Sequence, residues 1–170
     1  RFIRGDIVDT ASLSYGSFPF RAVARSEAVV CPFQKKSLVG IFERSPRLSA
    51  LLLCLYSIEI AEQEDRASVF RRNNATAKLA LFIQQTFGRL KLMNTLLHDR
   101  FHCPLNQTDI GDATGMSSVH VSRTFSKLEK EGLLERHGQF TRIVDAAALS
   151  ELSGYTDRHA GLDLSWLPKD

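Results

Sequence analysis

The chain has 170 residues, 44% of them hydrophobic and 24% charged, the mixture of a folded soluble protein rather than a disordered or fibrous one. Its longest apolar run, residues 51–56, is far shorter than the roughly 20 residues of a membrane-spanning helix. A formal net charge of +3, from 22 Lys and Arg against 19 Asp and Glu, does not mark a nucleic-acid binder, so any such function has to be carried by a motif and by the placement of charge.

The first residue is Arg1, with no basic, apolar, small-residue leader behind it, and the sequence is expected to begin inside a longer polypeptide. Cys31, Cys54 and Cys103 are odd in number, widely spread and without CxxC spacing. That pattern argues for a reducing cytoplasm, with each cysteine read as a buried small hydrophobe.

Residues 1–38 alternate Val, Phe and Ala with polar residues and are broken by Gly5, Gly16, Pro19 and Pro32, a β-like pattern. Phe20, Ala22 and Ala24 are expected to share one face of a strand, and residues 28–31 to form a second strand ending at Pro32. A lone pair of strands is barely stable in water, so these are read as the end of a sheet whose earlier strands lie upstream. A short helix is expected over residues 37–42. Ser45-Pro46 then signals a helix start, with proline at the first helical position. Leu48, Leu51, Leu55 and Ile58 step by three, four and three, and the register continues through Glu62 and Asp65 to Val69. A helix of about 24 residues is roughly 36 Å long, more than one small domain covers, which favours dimerisation through this seam.

Residues 71–74 (Arg-Arg-Asn-Asn) interrupt the pattern, and Asn74 or Thr76 is expected to cap a helix carrying Leu79, Ala80, Ile83 and Phe87, ending near Gly88. In the stretch up to Pro104, Leu92, Met93, Leu96 and Leu97 are apolar. His98, His102 and Cys103 lack a well-spaced fourth ligand, so the segment is read as a polar loop entering a strand and no metal is expected.

Residues 105–128 have the grammar helix, tight turn, helix. Asn106 is the expected cap of the first helix, with Asp109 three residues on; Gly115 permits a left-handed turn, and Ser117 caps the second helix. There, Val121, Phe125 and Leu128 define a buried stripe. The opposite side presents Val119, Ser122, Arg123 and Ser126, flanked by Ser118 and His120. Such a small, polar, singly cationic face suits the DNA major groove. Ser118, Val119, Ser122 and Arg123 are the expected base-reading residues, with arginine gripping guanine and the small apolar side chain meeting a thymine methyl. Gly132 stops the helix, and residues 133–144 read as a hairpin turning at His137-Gly138, a wing whose Arg136, His137 and Gln139 are placed for phosphate. Asn106, Thr108, Ser117, His120 and Lys127 are further expected phosphate-positioning residues. Over residues 105–144 five cations (Arg123, Lys127, Lys130, Arg136, Arg142) meet five acids. Affinity therefore has to rest on charge placement and on two copies of the module.

This order of elements, with Gln107-x-Asp109-Ile110-Gly111-x-x-x-Gly115 and then Val119-His120-Val121-Ser122-Arg123, resembles the Crp/Fnr family of bacterial transcription regulators. The recognition-helix core looks like the variant common in alphaproteobacteria. The resemblance implies an α+β, mostly α fold: a truncated β-roll remnant (1–44), a long dimerisation helix and hinge (45–72), a winged helix-turn-helix domain (73–153) and a C-terminal tail (154–170). It implies a homodimer on palindromic double-stranded DNA, with RNA polymerase as a further partner and no membrane. Relatives that bind a cyclic nucleotide use a Gly-Glu and an Arg-Ser pair. Here Gly5-Asp6 stands near the first and Ser17-Phe18 at the second, without an arginine for the phosphate, and the cysteine cluster of iron-sulfur relatives has no equivalent. No cofactor is expected. Many relatives carry glutamate where Val119 stands, so the base preference there should differ. With only scattered Ser and His, the chain is read as non-enzymatic. The rival reading is a winged-helix interaction module that dimerises or docks without touching DNA.

Overall fold

A computed structural model describes residues 6–8, 10–72, 74–94 and 98–169. Gly5, Asn73, Leu96 and Leu97, used above, lie outside the described residues. The chain forms two compact units, Arg1–Ile60 with Gly161–Asp170, and Ala61–Ala160.

In the first unit a 3-10 helix, Thr10–Leu13, is the only regular element described before residue 35. The strands expected at Phe20 to Ala24 and over residues 28–31 do not form. Among the described residues no neighbouring strand offers them a hydrogen-bond ladder, and no opposing layer covers their side chains. Val29 is 92% exposed, and Phe20 and Val30 are also open to solvent. For the same reason Cys31 is exposed rather than buried; Cys54, in a helix further on, is half-buried, and only Cys103 fits the buried reading.

Helix α1 (Lys35–Arg44) is longer than expected. Ser45 both closes it and opens the next helix. Its N–H donates to the Ile41 carbonyl at 2.8 Å, and its Oγ accepts from the Leu48 N–H at 3.3 Å. Pro46, which has no N–H to lose, starts α2 (Pro46–Arg71), a helix of 26 residues. Along the expected seam Leu48 and Leu55 are exposed, Leu51 is half-buried and Ile58 is buried within the chain. Leu53 and Ile60 are exposed as well, so the apolar surface of α2 is wider than a two-residue-per-heptad stripe.

The second unit is built around α3 (Ala75–Met93). Asn74 Oδ1 caps it, accepting from the Ala77 N–H at 3.2 Å. The helix does not stop near Gly88 but runs a further turn. Glycine is there for space: a Cβ at that position would lie 2.6 Å from the Tyr155 hydroxyl. Leu79, Ala80 and Ile83 pack against Phe101, Ile110, Val121, Phe125, Leu128, Leu134, Ile143 and Leu149 in one core, with Phe87 half-buried at its edge. The other side of α3, Ala77 and Leu81, packs with Val69 and Tyr155. Buried on both sides, the helix satisfies its polar residues locally. Gln84 hydrogen-bonds the hydroxyls of Ser150 and Ser153, and Gln85 accepts from Arg66 at 2.9 Å while donating to the Glu62 carbonyl at 3.2 Å.

Strand β1 (Arg100–His102), α4 (Gln107–Thr114), α5 (Ser118–Lys130), β2 (Leu134–His137), β3 (Phe140–Ile143) and α6 (Ala146–Ser153) follow. The sheet is antiparallel in the order β1-β3-β2, so the expected hairpin gains a third strand. Its register pairs Phe101 with Thr141 and Arg136 with Thr141 on the two sides of β3. Helix α6 was not anticipated, although Asp145 before an alanine run and Gly154 after it are its start and stop signals; Asp145 Oδ1 accepts from the Ala148 N–H at 2.9 Å. After it, Arg158 forms a bidentate pair with Asp65 at 2.6 and 2.9 Å, and His159 lies 3.3 Å from Glu62. Glu62 and Asp65, expected to continue the seam, are thus engaged within their own unit. No helix among the described residues is long and apolar enough to cross a membrane.

Candidate nucleic-acid interface

The interface is assembled from three local devices. The first is the start of α4, a complete capping box: Asn106 Oδ1 accepts from the Asp109 N–H at 2.9 Å and Asp109 Oδ2 accepts from the Asn106 N–H at 3.1 Å. Asn106 and Thr108 are exposed there. Early amide groups of a helix have no carbonyl partner inside it, which makes this end a natural place for an anion.

The second device is the turn. Gly115 ends α4 in the left-handed conformation at φ 67°, and Ser117 Oγ opens α5 by accepting from the His120 N–H at 3.2 Å. The two helices approach so closely that a Cβ on Gly111 would collide with the backbone carbonyl of Met116, whose N–H is bonded to the Gly111 carbonyl at 3.0 Å. Backbone cannot rotate aside as a side chain can. Gly111→Ala is therefore expected to lower stability by about 1–3 kcal/mol, the cost of overpacking. A urea midpoint equal to that of the parent would contradict this contact.

The third device is α5 itself. Val121, Phe125 and Leu128 are buried, as the periodicity requires, and Thr124 joins them by donating its hydroxyl to the His120 carbonyl at 2.7 Å. On the opposite side Val119, His120, Arg123, Ser126 and Lys127 are exposed, and Ser118 and Ser122 are half-exposed. A shallow open groove there is lined by Ser122, Arg123, Ser126, Lys127, Lys130 and Glu131. All the residues expected to read bases thus share one accessible face.

The wing departs from expectation in two respects. Its two-residue loop is Gly138-Gln139, one position later than expected, because Gly138 takes the positive φ of 62° and His137 still pairs with Phe140. Arg136, expected to reach outward, instead turns back. Its guanidinium lies 4.1 Å over the Phe125 ring, with Nε and Nη2 at 3.3 and 3.4 Å from the Glu129 carboxylate. It fastens the wing to α5, and its charge is already compensated. Arg142 is likewise held by Asp99 at 2.6 Å and Glu135 at 3.2 Å; its hydrogen bond keeps the Asp99 carboxyl below the usual carboxylate range.

His137 remains exposed near the hairpin end. Gln139 Oε1 lies 2.7 Å from His102 Nε2, and the His102 ring stands edge-on to Phe140. His102, read from sequence as part of a loop, is therefore a component of the wing surface. Lys127 faces Glu131 at 3.8 Å on an exposed helix turn, a pair too solvated to neutralise it. Among the described residues Arg123 and Lys130 form no ion pair. Of the five cations of the segment, the two in the wing are structural and the three on α5 are available. No group of three or more His, Cys, Asp or Glu among the described residues is placed to hold a metal ion.

Residues 77–152 match the Crp-like helix-turn-helix domain family. The chain is 27% identical over 154 residues to the fumarate and nitrate reduction regulatory protein of Escherichia coli K12, covering 91% of this chain and 61% of that protein. It is 28% identical over 152 residues to the anaerobic regulatory protein of Pasteurella multocida, covering 89% and 55%. The chain thus spans about three fifths of the length of such relatives. Among solved structures it is similar to FixK2 from Bradyrhizobium japonicum, with a TM-score of 0.60 and 21% identity over 72% of this chain and 60% of that one. It is also similar to CprK in complex with OCPA, with a TM-score of 0.50 and 24% identity over 71% and 55%. Residues 77–152 thus carry a Crp-like helix-turn-helix domain, the chain is homologous to the Fnr-type regulators just named, and it shares the fold of the two solved structures.

Proposed function

We propose that the chain is a sequence-specific DNA-binding transcription regulator that acts as a homodimer on a palindromic operator, with α5 in the major groove of each half-site. The observation that carries this is the division of α5: one side is buried to the last apolar residue, and the other is accessible, polar and headed by an Arg123 without an acidic partner. Arginine in that position is able to hold guanine O6 and N7 together, while the exposed start of α4, Lys127 and His137 meet phosphate and set the register. Half-sites then lie about one helical turn, roughly 34 Å, apart. Residues 45–72 act as the dimer helix and hinge, and residues 73–153 as the DNA-binding head. RNA polymerase in the cytoplasm is the partner through which such a regulator acts.

Selection from a random duplex library tests this directly. Enrichment of a palindrome with the stated spacing is the expected outcome; a pure docking module enriches nothing.

Dimerisation is tested separately. Leu55 is 56% exposed, so a lysine there is tolerated by the fold of one chain but places an unpaired charge in the α2 seam. Leu55→Lys is expected to convert dimer to monomer by light scattering, and a persistent dimer would remove α2 from that interface.

A further inference from the structure

Val119 is the only large apolar side chain exposed on α5, at 59% of its surface, and Ser118, Ser122 and Arg123 surround it on the same face. A β-branched residue gives little to helix stability, and this one leaves most of its surface open to solvent. We infer that Val119 reads the C5 methyl group of a thymine in each half-site.

The inference rests on the DNA-binding reading above and identifies one base of the site. In the major groove only the A·T pair displays a methyl group; cytosine offers an amino donor, and guanine two acceptors. A valine pressed against either of the latter strips water from a polar edge and returns no hydrogen bond, which costs affinity. Against a methyl it buries apolar surface on both partners. Val119 is the second residue of α5, and Arg123 follows one turn later, about 6 Å along the helix axis. With bases about 3.4 Å apart, that separation corresponds to about two base steps. The thymine therefore lies within about two base pairs of the guanine held by Arg123.

The test remakes the duplex recovered by library selection with deoxyuridine in place of each thymidine in turn, which deletes only the methyl group. For the full chain, one position per half-site near the Arg123-dependent guanine is expected to weaken binding about fourfold, the value of one buried methyl. Val119→Ala, on an exposed position with a better helix former, is expected to bind the thymidine and deoxyuridine duplexes equally. If the parent ignores every such replacement, or if Val119→Ala keeps the penalty, the assignment is overturned while DNA binding stands. If selection enriches no sequence at all, the DNA-binding reading fails and this assignment fails with it.

Discussion

Arg123→Ala is expected to lose most of its preference for the selected duplex over random DNA, keeping only the smaller share that Val119 supplies. A bidentate arginine–guanine contact discriminates by about 1–3 kcal/mol, and two half-sites contribute twice, about 2–6 kcal/mol or roughly 30- to 25,000-fold in affinity. The fold should be untouched, because the side chain is exposed and forms no ion pair that its loss would leave unmatched. Lys127→Ala is the informative comparison. A phosphate contact weakens all sequences alike and flattens the salt dependence by about one charge, leaving preference intact. Competition binding with the selected and scrambled duplexes separates the two. An Arg123→Ala chain that prefers the selected site as strongly as the parent would show that Arg123 grips no base.

Phe125→Ala is expected to cost about 3–5 kcal/mol of stability, the largest effect of a single substitution here. Its ring is 4% exposed within the core shared by α3, α5, β2 and β3, and it also supports the Arg136 guanidinium from below. Removing it opens a cavity and loosens the clamp that ties the wing to α5, so stability and wing placement should fall together. Arg136→Ala separates the contributions: it keeps the ring and removes only the clamp, and its cost should be much smaller. Urea unfolding followed by circular dichroism measures both. Near-parental stability of Phe125→Ala would mean that the core does not depend on this ring.

The helix-turn-helix was legible because every signal that builds it is local. Asn106 with Asp109, Gly115 at positive φ, and Ser117 before α5 act within one turn of themselves, and the spacing of Val121, Phe125 and Leu128 decides which side of α5 is hidden. The accessible face follows from that spacing alone. What failed depended on distant residues. Gly88 is required by the Tyr155 hydroxyl packed beside it and is not a stop signal, and Arg136 found both an aromatic face and a carboxylate on a neighbouring element. The strands anticipated around Phe20 and Val29 have the alternation of a sheet but no described partner, and alternation alone supplies no hydrogen bonds. Strand β1, read from sequence only as a polar loop entering a strand, is fixed for the converse reason: its three residues pair well once β3 is alongside them.

The sequence by itself therefore determined the helix-turn-helix and the accessible face of α5, because helix caps and helical periodicity act over three or four residues. Only the tertiary structure decided which cations remain for a partner. Arg123, Lys127, Lys130, Arg136 and Arg142 look equivalent in the chain. Yet packing brings Glu129, Asp99 and Glu135 within reach of the two wing arginines, and the short range of a charge-assisted hydrogen bond turns those two into structural residues.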